Sequence, residues 1–463
     1  MVEKMLTTKL WRVQVLIAGI SSALLLVYEA LFRTLNPQGL LSSNLVPTVP
    51  YLFQVFSSDD LLQTTQIQEL SNFGPLGLWY LHIQPPIFDA LRYVLVLPEV
   101  LMDKQPITSE LVDLRLYVLY AIVFGLLNAV LFTWAYRLLA SWKWALVITV
   151  LWSLYPGNLQ MATLLDSTYL SMYFITLCFY FLYMFLRNRT HGYLTAFLAA
   201  VLLASYTRTL FQFQFLILML IALIFFWRML KGHRRGVLVA VDVVLVLLLF
   251  ALPLKQYALF GSFSTTTFAG PHRIGMLFYD PPEAEWRAVE YPQRIWDNGR
   301  VFRSYPNLED IVVESYQKER LADQYLKQHP VESVKGLVRS VGVNWNTGMY
   351  PTSEYFPNQL AQGVPWRAPM DWLLSGWRYI ALVLGAIAVI WWQLGTAGFW
   401  RRMRRYGWLV GFYLLQLATL SLANRDDWTE VNRLKIFIEI PAWLAVAYAT
   451  WLVATRRSRK VPA

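Results

Sequence analysis

The chain has 463 residues, 57% of them hydrophobic and only 15% charged, with a mean hydropathy of +0.41. That composition excludes an ordinary soluble globular protein: repeated apolar runs of about twenty residues, each able to cross roughly 30 Å of hydrocarbon, define a polytopic helical membrane protein. The net charge of +11 is divided among the ends of short loops, a pattern that argues for membrane orientation and against nucleic acid as a partner.

In chain order, Lys4, Lys9 and Arg12 precede a first span predicted at 11–33. The N-terminus shows no small-residue cleavage site and its apolar run is long, so a retained helix is expected rather than a cleaved signal peptide. Further spans are predicted at 114–137, 144–162, 168–186, 193–207, 210–228, 237–254, 372–395, 406–422 and 434–454. Basic clusters fall in alternate connections: Arg137 with Lys143, Arg187 with Arg189, Arg228 to Arg235, Arg401 to Arg405, and Arg456 to Lys460. Short loops rich in Lys and Arg stay on the cytoplasmic side during insertion, which puts both termini there.

Residues 85–102, PPIFDALRYVLVLPEVLM, are apolar enough to suggest another span, but a crossing there would reverse every later cluster. The segment also carries Asp89, Arg92 and Glu99, and a charge near a helix centre costs roughly 2.5–3.5 kcal/mol on insertion scales. It is expected to lie flat at the outer interface as an amphipathic helix.

The expected fold is all-α: about ten transmembrane helices in one domain over 1–463, with interfacial helices and an outer-face cap. Two regions face outward, a first outer loop over 34–113 and a large one over 255–371. In the second, LEDIVVESYQKERLADQYLKQHP has helical periodicity, and VESVKGLVRSVGVNW reads as an amphipathic helix on the membrane. No internal repeat is visible. Cys178 is the single cysteine, so neither an intramolecular disulfide nor a cysteine metal site can form.

The outer loops hold the candidate chemistry. Asp59 and Asp60 follow Ser57-Ser58 and precede LLQTTQIQEL, a candidate short helix. They suit helix capping, and, with Glu69, equally suit general-base or metal work. His82 begins the HIQPP kink; a lone histidine there is more often structural. Asp166 opens a span, where a helix N-terminus favours an acid. Arg208, and Arg433 with Lys435, are cations on the outward side, against the charge trend. Buried cations there need an anion, and phosphate matches guanidinium bidentately; snorkelling to headgroups is the competing reading.

Along nearly its whole length the chain resembles the GT-C superfamily of polyprenyl-phosphate-dependent glycosyltransferases, in its protein-mannosyltransferase-like and lipid A aminoarabinose transferase-like branch. Asp59-Asp60 and His82-Ile-Gln-Pro85-Pro86 stand where the family has an acidic residue and an HPP-type segment. Arg115 and YRLLASWK are loosely similar to a span that starts with arginine and ends in a basic pair. LLDSTYLSMYFITLCFYFLYMFLR, ASYTRTLFQ, LFGSFSTTTFAGPHR and NRLKIFIEIP follow in the family's order. The chain departs from the pattern in having Asp-Asp for Asp-Glu, and Ile83-Gln84 between His82 and the prolines.

The resemblance implies transfer of a sugar from a polyprenyl-phosphate donor to a glycan, lipid or protein acceptor on the outer face of a bacterial cytoplasmic membrane, with inversion. Asp59 or Asp60 would act as base, and Asp166 would position the acceptor or a metal. Arg208 and Arg433, with Lys435 or Arg273, would stabilise the leaving phosphate, while Glu69 and His82 would position acceptor or loop. Some relatives bind a divalent cation, and the metal requirement stays open here. The rival readings are a lipid or glycan transporter or flippase, and an inactive assembly subunit of the same fold.

Overall fold

A computed structural model describes residues 2–35, 58, 64–81, 83–102, 107–163, 165–209, 213–230, 236–267, 269–291, 309–346, 376–421 and 436–459. Those residues form helices and connections, with no strand among them. The helices are α1 (Val2–Leu35), α2 (Ile67–Phe73), α3 (Pro75–Tyr80), α4 (Ile87–Leu101), α5 (Ser109–Leu139), α6 (Trp142–Ser153), α7 (Pro156–Thr163), α8 (Ser167–Asn188) and α9 (His191–Ser205). They continue as α10 (Phe213–Ile221), α11 (Gly236–Phe260), α12 (Ala269–Leu277), α13 (Glu283–Arg287), α14 (Glu309–Gln328), α15 (Pro330–Asn346), α16 (Gly376–Ser421) and α17 (Ile436–Arg459).

Six of these, α1, α5, α8, α11, α16 and α17, contain apolar segments long enough to cross a membrane, and α9 and residues 215–229 are shorter apolar helices. The chain is therefore an all-α membrane protein. Several expected spans take a different local form. The segment at 144–162 is broken after Ser153, and Pro156 opens α7. Proline lacks an N–H and disfavours helical backbone in the residue before it, so it ends one helix and starts the next. The segment at 210–228 passes from α10 into a π turn over Ala222–Phe226 and a 3-10 turn over Trp227–Met229. The pair at 372–395 and 406–422 lies in α16, which Gly395 interrupts with φ 66° and ψ 164°. Arg401 to Arg405 are helical in α16 rather than a loop.

The packing gives the bundle two distinct ends. Gln14 Nε2 donates to Thr133 Oγ1 at 2.6 Å, while Gly125 meets Ala18 and Ser22, so α1 and α5 run antiparallel. A Cβ on Gly125 would sit 2.3 Å from the Ala18 carbonyl oxygen; glycine is what permits the close approach. Arg187 Nη1 donates to the Arg137 carbonyl at 2.8 Å and Arg405 Nη2 to the Arg187 carbonyl at 2.9 Å. Arg402 lies 5.3 Å from the Tyr448 ring in α17. Basic clusters that are far apart in sequence thus share one end, as the charge pattern predicts. Asp166, the start of α5 and the end of α9 share the other.

α8 runs between these ends through the aromatic core, where Phe179 meets Phe412 with ring centroids 4.5 Å apart. α4 corrects the simple amphipathic expectation. Its charged residues Asp89 and Arg92 turn inward with Phe88 and Val96, whereas Val94 and Leu101 are exposed. At 15 residues it spans only about 22 Å, short of the hydrocarbon thickness.

Part of the 255–371 region forms a helical cap from α12 to α15. Gly270 of α12 lies so close to α14 that a Cβ would stand 1.9 Å from the Ser315 carbonyl oxygen. Tyr279 stacks on Tyr325 at 4.0 Å. α15 leaves Val331, Val334 and Val338 exposed on one face, in keeping with its amphipathic pattern.

Candidate functional site

The end of the bundle that carries Asp166 gathers polar side chains from five segments. Asp166 is the N-cap of α8: its Oδ1 accepts from the Thr168 N–H at 2.8 Å and its Oδ2 from the Thr168 hydroxyl at 2.6 Å. Capping satisfies an orphan donor and places the carboxylate at the positive end of the helix dipole. Arg208, three residues beyond α9, reaches the same place. Its Nη1 lies 2.6 Å from the Thr168 hydroxyl and 3.5 Å from Asp166 Oδ2. Arg208 is 6% exposed and Asp166 5%, so this cation is held inside protein rather than snorkelling. The structure brings these two predicted site residues together.

A second buried cation stands nearby. Arg92, fully buried on α4, donates Nη1 to Asp89 at 2.9 Å and to the Thr65 carbonyl at 2.6 Å, and Nε to Ser58 Oγ at 3.2 Å. Ser58 is pinned further: its N–H donates to Asp113 at 3.0 Å and its carbonyl accepts from the Thr64 hydroxyl at 2.5 Å. The residue directly before Asp59 is therefore fixed against α4 and α5. On α5, the Tyr120 hydroxyl donates to the Asp166 carbonyl.

Leu81 and residues 83–87 are docked on the same end. Lys255 Nζ donates to the Leu81 carbonyl at 2.6 Å, Gln256 Nε2 to the same oxygen at 3.4 Å, and the Thr266 hydroxyl to the Ile83 carbonyl at 2.6 Å. The Ile87 N–H donates to the Tyr206 carbonyl at 3.1 Å, tying α4 to the residues that lead into Arg208. At the start of α17, buried Glu439 accepts from the Tyr155 hydroxyl at 3.2 Å. Arg115 grips Glu99 with both guanidinium nitrogens.

The remaining sequence candidates divide. Asp59, Asp60, His82, Arg433 and Lys435 lie outside the described residues. The neighbouring helix α2 starts at Ile67, with Gln66 at its N-cap position. Glu69 is half-buried in the first turn of α2. Arg273 belongs to the cap, ion-paired with Glu319 at 3.1 Å and Asp323 at 2.7 Å. No group of three His, Cys, Asp or Glu suited to a metal occurs among the described residues.

Arg92, Asp113, Tyr120, Lys255 and Glu439 join the site without having been singled out for it by sequence. Arg92 carried a usable signal, because Asp89 lies three residues earlier on the same helical face. The Lys255–Leu81 contact spans 174 residues and had none. Comparison with protein-family models, curated proteins and solved structures finds no match to this chain.

Proposed function

We propose that this chain is a membrane glycosyltransferase of the GT-C type, moving a sugar from a polyprenyl-phosphate donor to an acceptor at the outer face, with inversion. The observation that carries the reading is that Arg208, held by Asp166 and Thr168, lies at the same end of the bundle as the docked residue Ser58 that leads into Asp59-Asp60. An outward cation and the root of the acidic pair occupy one end of one bundle.

In this reading the chain crosses the membrane ten times. α6 with α7 makes one crossing and α16 makes two around Gly395, which leaves both termini with the basic clusters on the cytoplasmic side of a bacterial inner membrane. The acceptor hydroxyl attacks the anomeric carbon and gives its proton to Asp59 or Asp60. The bond from that carbon to the donor phosphate oxygen breaks on the opposite face, and the phosphate leaves with its electron pair. Arg208 stabilises the developing charge in a site from which water is largely excluded, assisted by Arg433 and Lys435. Asp166 sets the orientation of Arg208. A divalent cation at the acidic pair would supply further charge for the same step.

The test is a donor assay on the purified full-length protein in nanodiscs, with polyprenyl-phosphate sugars offered to wild type and to an Asp59→Asn/Asp60→Asn variant. Release of polyprenyl phosphate or sugar transfer by wild type alone supports the reading. Donor binding without turnover in either form, under a panel of acceptors, would indicate an inactive subunit of this fold. Absence of donor binding would overturn the proposal in favour of a transporter.

A further inference from the structure

The opposite end of the bundle holds a second set of cations, and its geometry goes beyond what membrane orientation requires. Arg137 lies in the last turn of α5, and Arg187 in the last turn of α8. Arg189 caps α8 in the left-handed conformation, with φ 59°, and Arg405 comes from α16. α8 has 22 residues, so this cluster stands about 33 Å from Asp166.

Helix ends explain part of the arrangement. Arg187 donates to the Arg137 carbonyl and, at 3.2 Å, to the Tyr183 hydroxyl, while Arg405 donates to the Arg187 carbonyl. Cations at helix C-termini complement both the dipole and the orphan carbonyls. Tyr183 and Tyr406 stack with centroids 5.5 Å apart and form the floor beneath them.

Other features remain unexplained by helix ends. Arg137 Nε and one Arg189 Nη are buried with no acceptor. Among the described residues, none of the four guanidinium groups forms an ion pair with a carboxylate. Burial, and secondarily the Arg405 charge, pull the Arg189 guanidinium below its ordinary value. Like charges gathered around unsatisfied buried donors are costly unless an anion with several acceptor oxygens sits among them.

We propose that Arg137, Arg187, Arg189 and Arg405 bind a phosphate group, supplied by the headgroup of an anionic phospholipid in the leaflet at the basic end. Phosphate presents oxygens to several guanidinium groups at once, and basic pockets between transmembrane helices on the cytoplasmic side are the usual seats of such headgroups. The depth is right for a lipid. Trp142 and Trp400 are exposed at this same end, at 59% and 56%, as side chains at a membrane–water boundary are. The site is separate from the transfer chemistry proposed at the other end.

The experiment is thermal unfolding of the delipidated full-length protein in a neutral detergent, titrated with phosphatidylglycerol, phosphatidylcholine or inorganic phosphate. Native mass spectrometry would count the lipids retained. Phosphatidylglycerol is expected to raise the Tm and stay bound as one tight equivalent where phosphatidylcholine does neither. Arg189→Gln/Arg405→Gln should weaken that binding on the order of tenfold or more, whereas Arg404→Gln, which removes an exposed charge at the same end, should leave it unchanged. Equal responses of wild type to the two lipids would overturn the proposal whether or not the variants fold, and so would equal losses in the Arg404 and double variants. A matching response to inorganic phosphate would keep the phosphate site and overturn the lipid as its source.

Discussion

The Arg92 guanidinium donates to the hydroxyl of Ser58 at 3.2 Å, across 34 residues of sequence, and thereby anchors the stretch of chain that continues into Asp59 and Asp60. Arg92 has no exposed surface, and its charge is balanced by Asp89 at 2.9 Å. One buried ion pair thus ties α4, the root of the acidic motif and the Thr65 backbone into a unit.

Removing one member of that pair leaves an uncompensated buried charge. Arg92→Met should destabilise the protein by about 3–5 kcal/mol, while Arg92→Met/Asp89→Leu should recover much of the loss. Neither variant can hold Ser58, so sugar transfer should stay low in both. Chemical denaturation in detergent alongside the donor assay separates the two effects, and full transfer in the double variant would refute the anchoring role.

Asp166 both caps α8 and faces Arg208. Asp166→Ala should lose about 1 kcal/mol for the cap alone and more for the stranded Arg208. Asp166→Asn can still cap, so it should retain the larger part of the stability. Equal Tm losses in the two variants would show that capping is not what Asp166 contributes.

Arg208→Ala should weaken binding of a polyprenyl-phosphate donor and lower the transfer rate, because its guanidinium is the cation proposed to face the leaving group. Loss of one stabilising donor of this kind typically costs about 100- to 1,000-fold in rate. Donor Kd and single-turnover rates measured separately would test it. A change confined to acceptor affinity would contradict the phosphate role.

Gly270→Ala forces a Cβ onto the backbone of α14, 1.9 Å from the Ser315 carbonyl oxygen and 2.9 Å from the Glu319 nitrogen. Backbone cannot swing aside as a side chain can. The substitution should therefore separate α12 from α14, at a cost of about 1–3 kcal/mol, and expose the cap to protease before the bundle unfolds. Wild-type cleavage kinetics in the cap would show that the contact tolerates a methyl group.

Much of the architecture was readable because insertion physics is local. A run such as that in α5 or α8 is long and apolar whatever its neighbours do, and the positions of Arg137, Arg187 and Arg405 predicted which helix ends would meet. Local signals misled where one residue changed the outcome. Pro156 splits a continuous apolar stretch, and Gly395 divides α16 without a loop. The charges of α4 read from sequence as reasons to avoid the hydrocarbon, whereas in the fold Asp89 and Arg92 face inward and pair with each other, and Arg92 also holds Ser58.

The sequence by itself determined the class of protein and the shared end of the basic clusters, because hydropathy and loop charge act on each segment separately. Only the tertiary structure decided that Arg208 meets Thr168 and Asp166, that Ser58 rests on Arg92, and that Lys255 holds the Leu81 carbonyl. These contacts join residues 34 to 174 positions apart. No periodicity encodes them, since each depends on which helix ends the packed bundle brings together.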